Sequence, residues 1–239
     1  MTPAVVPTTD LGQLQQALRS AGEQPGAADF AVGVLESLRA SGVAANAHLH
    51  ALASADLQRP LHALADAAHF LTILHVQVPS LFELACGHEE LATASWLREA
   101  AAAFDADRRW LGRLSVMTGG SLDLQGLTAA EQLVRDQREA MLTLAKSSRA
   151  GCALGAAVTL ILDWQYLRAG LPKAAQHLGF ECRDLQADRW PVEGAGVALT
   201  EAGDDPKVRR AVAFGATQLA SLHGQLFGLL EARHAVRLS

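Results

Sequence analysis

Aromatic residues make up only 5% of this 239-residue chain, with a single tyrosine, and charged residues only 19%. Lysine is nearly missing: Lys146, Lys173 and Lys207 stand against 17 arginines. The formal net charge is −5, which excludes the basic surface that non-specific nucleic-acid binding requires. Cys86, Cys152 and Cys182 form an odd, widely spaced set, so neither a disulfide framework nor a CxxC zinc pattern is expected. No apolar run is long enough to span a bilayer. The longest runs from Gly151 to Leu162 and stops at Asp163, so no membrane partner is expected. Met1 to Asp10 carries neither the basic region nor the apolar core of a signal peptide. These absences point to a cytoplasmic, reducing setting.

What remains is alanine and leucine, 46 and 38 residues. Half the chain is apolar, too much for a disordered protein. Ala and Leu are the strongest helix formers, whereas the residues that favour strands are sparse. The expected fold is all-α: one multi-helix bundle over residues 1–239, with mostly short connections and no 20–50-residue repeat.

Local signals place the helices. Thr9 or Asp10 caps a first short helix ending near Gly22. Further helices are expected from Ala27 to Ser41, Val43 to Ala55 and Asp56 to Val78, with Pro79 as the stop. Ser80-Leu-Phe-Glu83 has capping-box spacing for a short helix up to Gly87. A long helix from His88 to Met117 closes at Gly119-Gly120, and Thr128-Ala-Ala-Glu131 reads as a second capping box, opening a helix to Ser147. An apolar helix from Gly151 to Ala169 is broken by Gly170 and Pro172 and followed by a short one through Ala174 to Leu178. Residues 190–204 read as a long loop. Asp205-Pro206 starts the last helix, which runs to Arg233.

On such a background the informative positions are polar side chains at the centre of apolar faces, because burial without a partner is costly. Asp107 falls between Phe104 and Leu111 on the face that also holds Trp96 and Trp110. Gln137 sits within Leu133, Val134, Ala140, Met141 and Leu144. The Gly151–Ala169 helix is apolar nearly all round, save a stripe of Cys152, Thr159, Asp163 and Tyr166. Gly151, Gly155 and Ala156 beside that stripe leave room for a ligand or for a close helix. Cys152 lies near the helix N-terminus and Arg149, where a thiol pKa is lowered. His75 lies on the buried side of its helix and His223 flanks the apolar face of the last one. His62, Asp66 and His69 share a face that the leucines avoid, so it reads as solvated, and His69 joins a site only if that helix is covered on both sides.

These residues define an expected polar cavity for a small organic molecule. His75, Asp107 and Asp163 are the acid–base candidates, since neighbouring titratable groups divide acid and base roles when their pKa values are pushed apart. His69, Gln137, Arg149, Cys152 and Tyr166 are the substrate-binding candidates, with Arg149 or Gln137 steadying negative charge. The reaction expected is lyase or hydrolase chemistry on a largely apolar substrate, aromatic ones included, with no cofactor and no metal. Of the paired Glu-x-x-His motifs of a dimetal bundle, only Glu231-Ala-Arg-His234 is present. A haem-binding bundle remains open through His75 as axial ligand. So does a non-catalytic bundle in which the polar groups are structural and an apolar surface makes a homodimer.

Ser148-Arg-Ala-Gly-Cys152-Ala-Leu-Gly-Ala-Ala157, ending in Asp163-Trp164, together with His69-Phe-Leu-Thr-Ile-Leu-His75, resembles uncharacterised all-α proteins of alphaproteobacteria. In outline the chain also resembles TenA and haem-oxygenase-like bundles, which share its length and helical build. TenA enzymes hydrolyse thiamin-related compounds with a helix-borne Cys supported by carboxylates and a Tyr. That resemblance implies such parts for Cys152, Asp163 and Tyr166, although no TenA motif surrounds them.

Overall fold

The computed structural model describes residues 25–76, 78–88, 91–121, 124–181 and 190–239. The helix expected before Gly22 and the third cysteine, Cys182, lie outside them. Among the described residues the chain forms nine α-helices and no strand. They are α1 (Pro25–Ser41), α2 (Ala47–Ala53), α3 (Pro60–His75), α4 (Leu81–Ala85), α5 (Leu91–Met117), α6 (Leu127–Ala145), α7 (Cys152–His177), α8 (Val192–Glu201) and α9 (Pro206–Val236). The all-α single bundle expected from composition is the architecture found.

Helix α7 is the axis of the bundle. Every residue from Cys152 to Trp164 is buried, and α2, α4, α6, α8 and α9 all pack on it. Its closest neighbour is α9. A Cβ on Gly155 would be driven into the Val212 carbonyl, and one on Gly215 into the Cys152 carbonyl. The small residues of the Gly151–Ala156 stretch therefore admit a helix backbone rather than a ligand. Thr159 reinforces the crossing by donating to the carbonyls of Gly155 and Ala216.

The other helices line up by register. Phe104 of α5 packs on His75, while Ser121, just beyond that helix, bonds Asp66. Helix α5 therefore runs antiparallel to α3. Helix α6 turns back and runs parallel to α3: Gln125 is joined to Asp66 through Arg233, and Glu131 meets His69 further along.

Several boundaries differ from expectation, among them that of α3, which begins at Pro60 rather than Asp56 and ends at His75. Residues 190–204 are not a loop. Helix α8 occupies most of them, and Gly194, which disguises it, lies where any side chain would strike the Trp96 ring. Ala195, Ala198 and Leu199 bury the face of that helix at helical spacing. Pro172 does not end α7, which continues to His177. A proline inside a helix costs about 3 kcal/mol, and burial of Leu171 just before it and of Ala174 and Ala175 beyond it opposes that cost. Thr128 is not an N-cap: α6 begins one residue earlier, from Gly126 in the left-handed region with φ 64°. The Val43–Ala55 stretch is split into a 3-10 turn at Val43–Ala45 and α2, whose N-cap is Asn46. The capping box at Ser80 and Glu83 and the Asp205 cap both form as expected.

Candidate functional site

Three helices bring His75, His223 and Asp163 together. His223 Nδ1 and Asp163 Oδ2 are 2.6 Å apart, with both side chains buried. The carboxylate thus fixes the tautomer in which Nδ1 carries the proton and Nε2 is left as the acceptor. The other carboxylate oxygen accepts the Val43 amide at 2.9 Å, capping the turn after α1. Gly42 makes this possible, since a Cβ there would meet Asp163 Oδ1.

The His75 ring meets the His223 ring edge-on, with centroids 5.3 Å apart, and is boxed in by Trp164 at 5.1 Å and Phe104 at 5.9 Å. Neither ring nitrogen of His75 has a hydrogen-bond partner, and neither does His223 Nε2. Burial above all, then the nearby His223 and Arg108, hold the His75 pKa well below its ordinary 6.5. His75 is therefore a neutral imidazole at pH 7, with one donor and one acceptor unmatched.

Asp107 joins the same cluster from α5. Its Oδ2 accepts from Trp164 Nε1 at 2.8 Å and pairs with Arg168 Nε at 2.9 Å. Burial pushes the Asp107 pKa up, and Arg168 and the Trp164 hydrogen bond pull against it. The Arg168 guanidinium lies 4.8 Å over the Trp190 ring, whose indole nitrogen donates to the Ile161 carbonyl. From Arg168 inward, the order is Asp107, Trp164, His75, His223 and Asp163.

The remaining candidates separate. Gln137 is buried with both amide atoms unpartnered. It stands on α6 six residues beyond the Glu131 that bonds His69. His69 itself is half-buried, about 9 Å down the helix from His75, and engaged by Glu131 at 2.9 Å. Tyr166 is one turn beyond Asp163 and half-buried, and burial raises its pKa against the pull of Arg39. Cys152 is buried in the α7–α9 crossing, about 16 Å along the helix from Asp163. Arg149 is exposed over the Phe214 ring. Neither Cys152 nor Arg149 reaches the His75 cluster.

Sequence reasoning missed a second polar centre. Asp66, expected on a solvated face, is 1% exposed. It accepts from Ser121 at 2.7 Å and pairs with Arg233 at 2.9 Å and Arg237 at 2.5 Å. The two arginines are four residues apart on one face of α9, and that spacing is the signal that could have been used. Beside them His48 of α2 and His234 meet edge-on at 5.5 Å. Burial lowers both pKa values, with Arg237 adding to the effect at His234. Helix α9 runs to Val236, three residues past the Arg233 end expected, so Glu231 and His234 both lie within it. Among the described residues, no group of three or more His, Cys, Asp or Glu is arranged to hold a metal ion.

The interior beside Asp107 holds a void of about 10 Å³, walled by Trp110, Trp164, Leu167, Arg168 and Leu171. It is the size of one water. A much larger groove of about 450 Å³ opens at the surface between the start of α6 and the end of α9. No helix among the described residues is long and apolar enough to cross a membrane. No curated protein matches the chain, and no solved structure does, so the likeness to TenA and haem-oxygenase-like bundles rests on outline alone. Residues 38–238, which carry both polar centres, match the profile of a family of unknown function, DUF6975, and the chain belongs to that family.

Proposed function

We propose that this chain is a small-molecule acid–base protein, of lyase or hydrolase type, working without a cofactor at the His75–His223 pair. The observation that carries this reading is the set of three buried imidazole nitrogens with no partner. Each unmatched polar group costs about 1–3 kcal/mol, a cost a ligand would remove by bonding to it. In this reading His223 Nε2 takes a proton from water as the water oxygen attacks an acyl carbon, then returns it to the leaving group. Asp163 offsets the charge gained by the ring. Neutral His75, and the buried, unpartnered Gln137, bond the polar atoms of the substrate, whose body is apolar to suit Phe104 and Trp164. Asp107 and Asp163 then act by positioning, through Arg168, Trp164 and His223. Substrate enters when the packing around the void beside Arg168 opens.

A thermal-shift screen of small aromatic esters, lactones and acids tests this. The expected result is a compound that raises the melting temperature of the wild type by several degrees and leaves His75→Leu and His223→Phe unmoved. A library in which no compound separates wild type from the variants overturns the reading.

One observation favours a second reading, a non-catalytic interaction bundle. Asp66, Asp107 and Asp163 are each engaged by partners from the same chain, and the void beside Asp107 is no larger than a water. On that reading the same screen returns no selective compound.

A further inference from the structure

We propose that the end of α9, from Glu231 onward, is an acid-operated latch, closed while the His48–His234 pair is neutral and released from α2 and α3 when the pair is charged. The latch is independent of the ligand reading above. It follows from how this end is held. Up to Leu230, α9 is seated by buried apolar side chains, Leu226, Phe227 and Leu230 among them. Beyond Leu230 no apolar side chain is buried, and Val236 is 58% exposed. What holds these last turns is polar: the His234 ring, buried edge-on against His48 at 5.5 Å, and the clasp of Arg233 and Arg237 on Asp66.

One buried carboxylate serves this whole corner. Asp66, from α3, already faces two guanidiniums and accepts from Ser121 as well. Glu231, on α9 itself, is the second acid acting on the pair, and it is exposed. His50 of α2 is turned to the Ala44 carbonyl. Among the described residues, α6 and α7 add no charge that acts on either ring. A proton on His48 or His234 therefore sets a third cation around a carboxylate that two already share. In a charged imidazole both nitrogens donate, yet His48 Nε2 and His234 Nδ1 have no hydrogen-bond partner. Each charged ring keeps a buried donor unmatched, and moving the end of α9 into water removes both penalties.

The direction of the switch follows from the same groups. Burial lowers both pKa values from the ordinary 6.5; His234 adds to this at His48 and Arg237 at His234, while Asp66 opposes it at both. The released end binds protons at the ordinary value and the closed end only at lower pH. The latch is therefore fully closed above 6.5 and opens as the pH falls below it. Opening bares the Phe70 ring, over which the Arg233 guanidinium lies at 5.3 Å. It stops at Leu230, where apolar seating resumes, so the α7–α9 crossing stays shut.

Hydrogen exchange of the full chain at pH 7.5 and 5.5, read by mass spectrometry and corrected for the intrinsic rate, is the test. Amides from Glu231 to Val236 are expected to lose about tenfold or more of their protection at pH 5.5, while those from Ala156 to Trp164 in α7 keep theirs. His48→Phe/His234→Phe keeps the edge-on ring contact without the titrating nitrogens, and is expected to stay protected at pH 5.5. Glu231→Gln, at an exposed position, is expected to lose more than the wild type, because an acid that eases the charging of His48 is gone. It decides alone where the double variant does not fold. His75→Leu is expected to open like the wild type, so this result is separable from that of the ligand screen. Equal protection of the wild type at the two pH values overturns the proposal. So does a loss that spreads to α7, a loss undiminished in the double variant, or Glu231→Gln indistinguishable from the wild type.

Discussion

Asp163 and His223 face each other across the α7–α9 interface at 2.6 Å, and the same carboxylate caps the turn at Val43, 120 residues earlier. One buried side chain thus ties three parts of the fold and sets the tautomer of an imidazole whose other nitrogen has no partner. His75, against that imidazole, is unmatched at both nitrogens. An arrangement selected for stability alone would have placed a leucine there.

Replacing His75 with leucine is accordingly expected to stabilise the protein. Removing two unmatched polar atoms is worth about 2 kcal/mol or more, and the change in packing takes back part of it. Thermal unfolding at pH 7.5 should show a melting temperature raised by a few degrees. A loss of more than 2 kcal/mol would mean that His75 has a structural partner and that its exposure to a ligand plays no part.

Acid should destabilise the fold through the histidines. His75, His48 and His234 all have pKa values lowered from 6.5 by burial. As the pH falls below 6.5 the unfolded chain binds these protons first, so stability is full above that value and falls progressively below it. Arg108 beside His75 and Arg237 beside His234 work with burial, while Asp66 and Glu231 resist it at His48. Urea midpoints measured from pH 7.5 to 5.0 should fall steadily, and His75→Leu/His48→Phe should flatten the slope. A midpoint independent of pH would contradict the buried, neutral state of these rings.

Asp66→Asn is expected to be among the most damaging polar substitutions. It leaves Arg233 and Arg237 in a buried setting without their carboxylate, at a cost of about 3–5 kcal/mol. Chemical denaturation of the variant measures this directly. A change under 1 kcal/mol would show that the two guanidiniums are held by their other contacts.

Gly155→Ala should separate α7 from α9, because the added methyl meets the Val212 backbone rather than a flexible side chain. Overpacking against backbone costs about 3 kcal/mol or more. Gly33→Ala is the control, since a Cβ there meets nothing within 4 Å, and it should match or exceed wild-type stability.

Which of these features could be read from sequence depends on how local they are. Asp107, Gln137, Asp163 and His75 were visible because each interrupts an apolar face of its own helix, and helical periodicity reports burial one helix at a time. Asp66 was not visible. Its face lacks leucines, and it is buried by arginines that lie 167 and 171 residues away. Helix α8 escaped for a similar reason: Gly194 reads as a breaker until Trp96 is placed against it. Pro172 was misjudged because local propensity counts the lost hydrogen bond and not the contacts made beyond it. The order of partners around His75 was out of reach altogether, because it depends on how α3, α5, α7 and α9 cross.

Helix α9 has a consequence for how the chain is made. Its 31 residues supply the partners of both deep carboxylates, Asp66 and Asp163, and the backbone against which α7 closes. While a ribosome is still translating the segment that becomes α9, the eight described helices before it exist with their central seam open and two carboxylates lacking their α9 partners. Such a nascent chain can collapse but cannot lock, and it presents apolar surface to whatever is nearby. Closure of this seam waits on α9, so dependence on a holding chaperone should be greatest just before α9 leaves the exit tunnel and fall once it has.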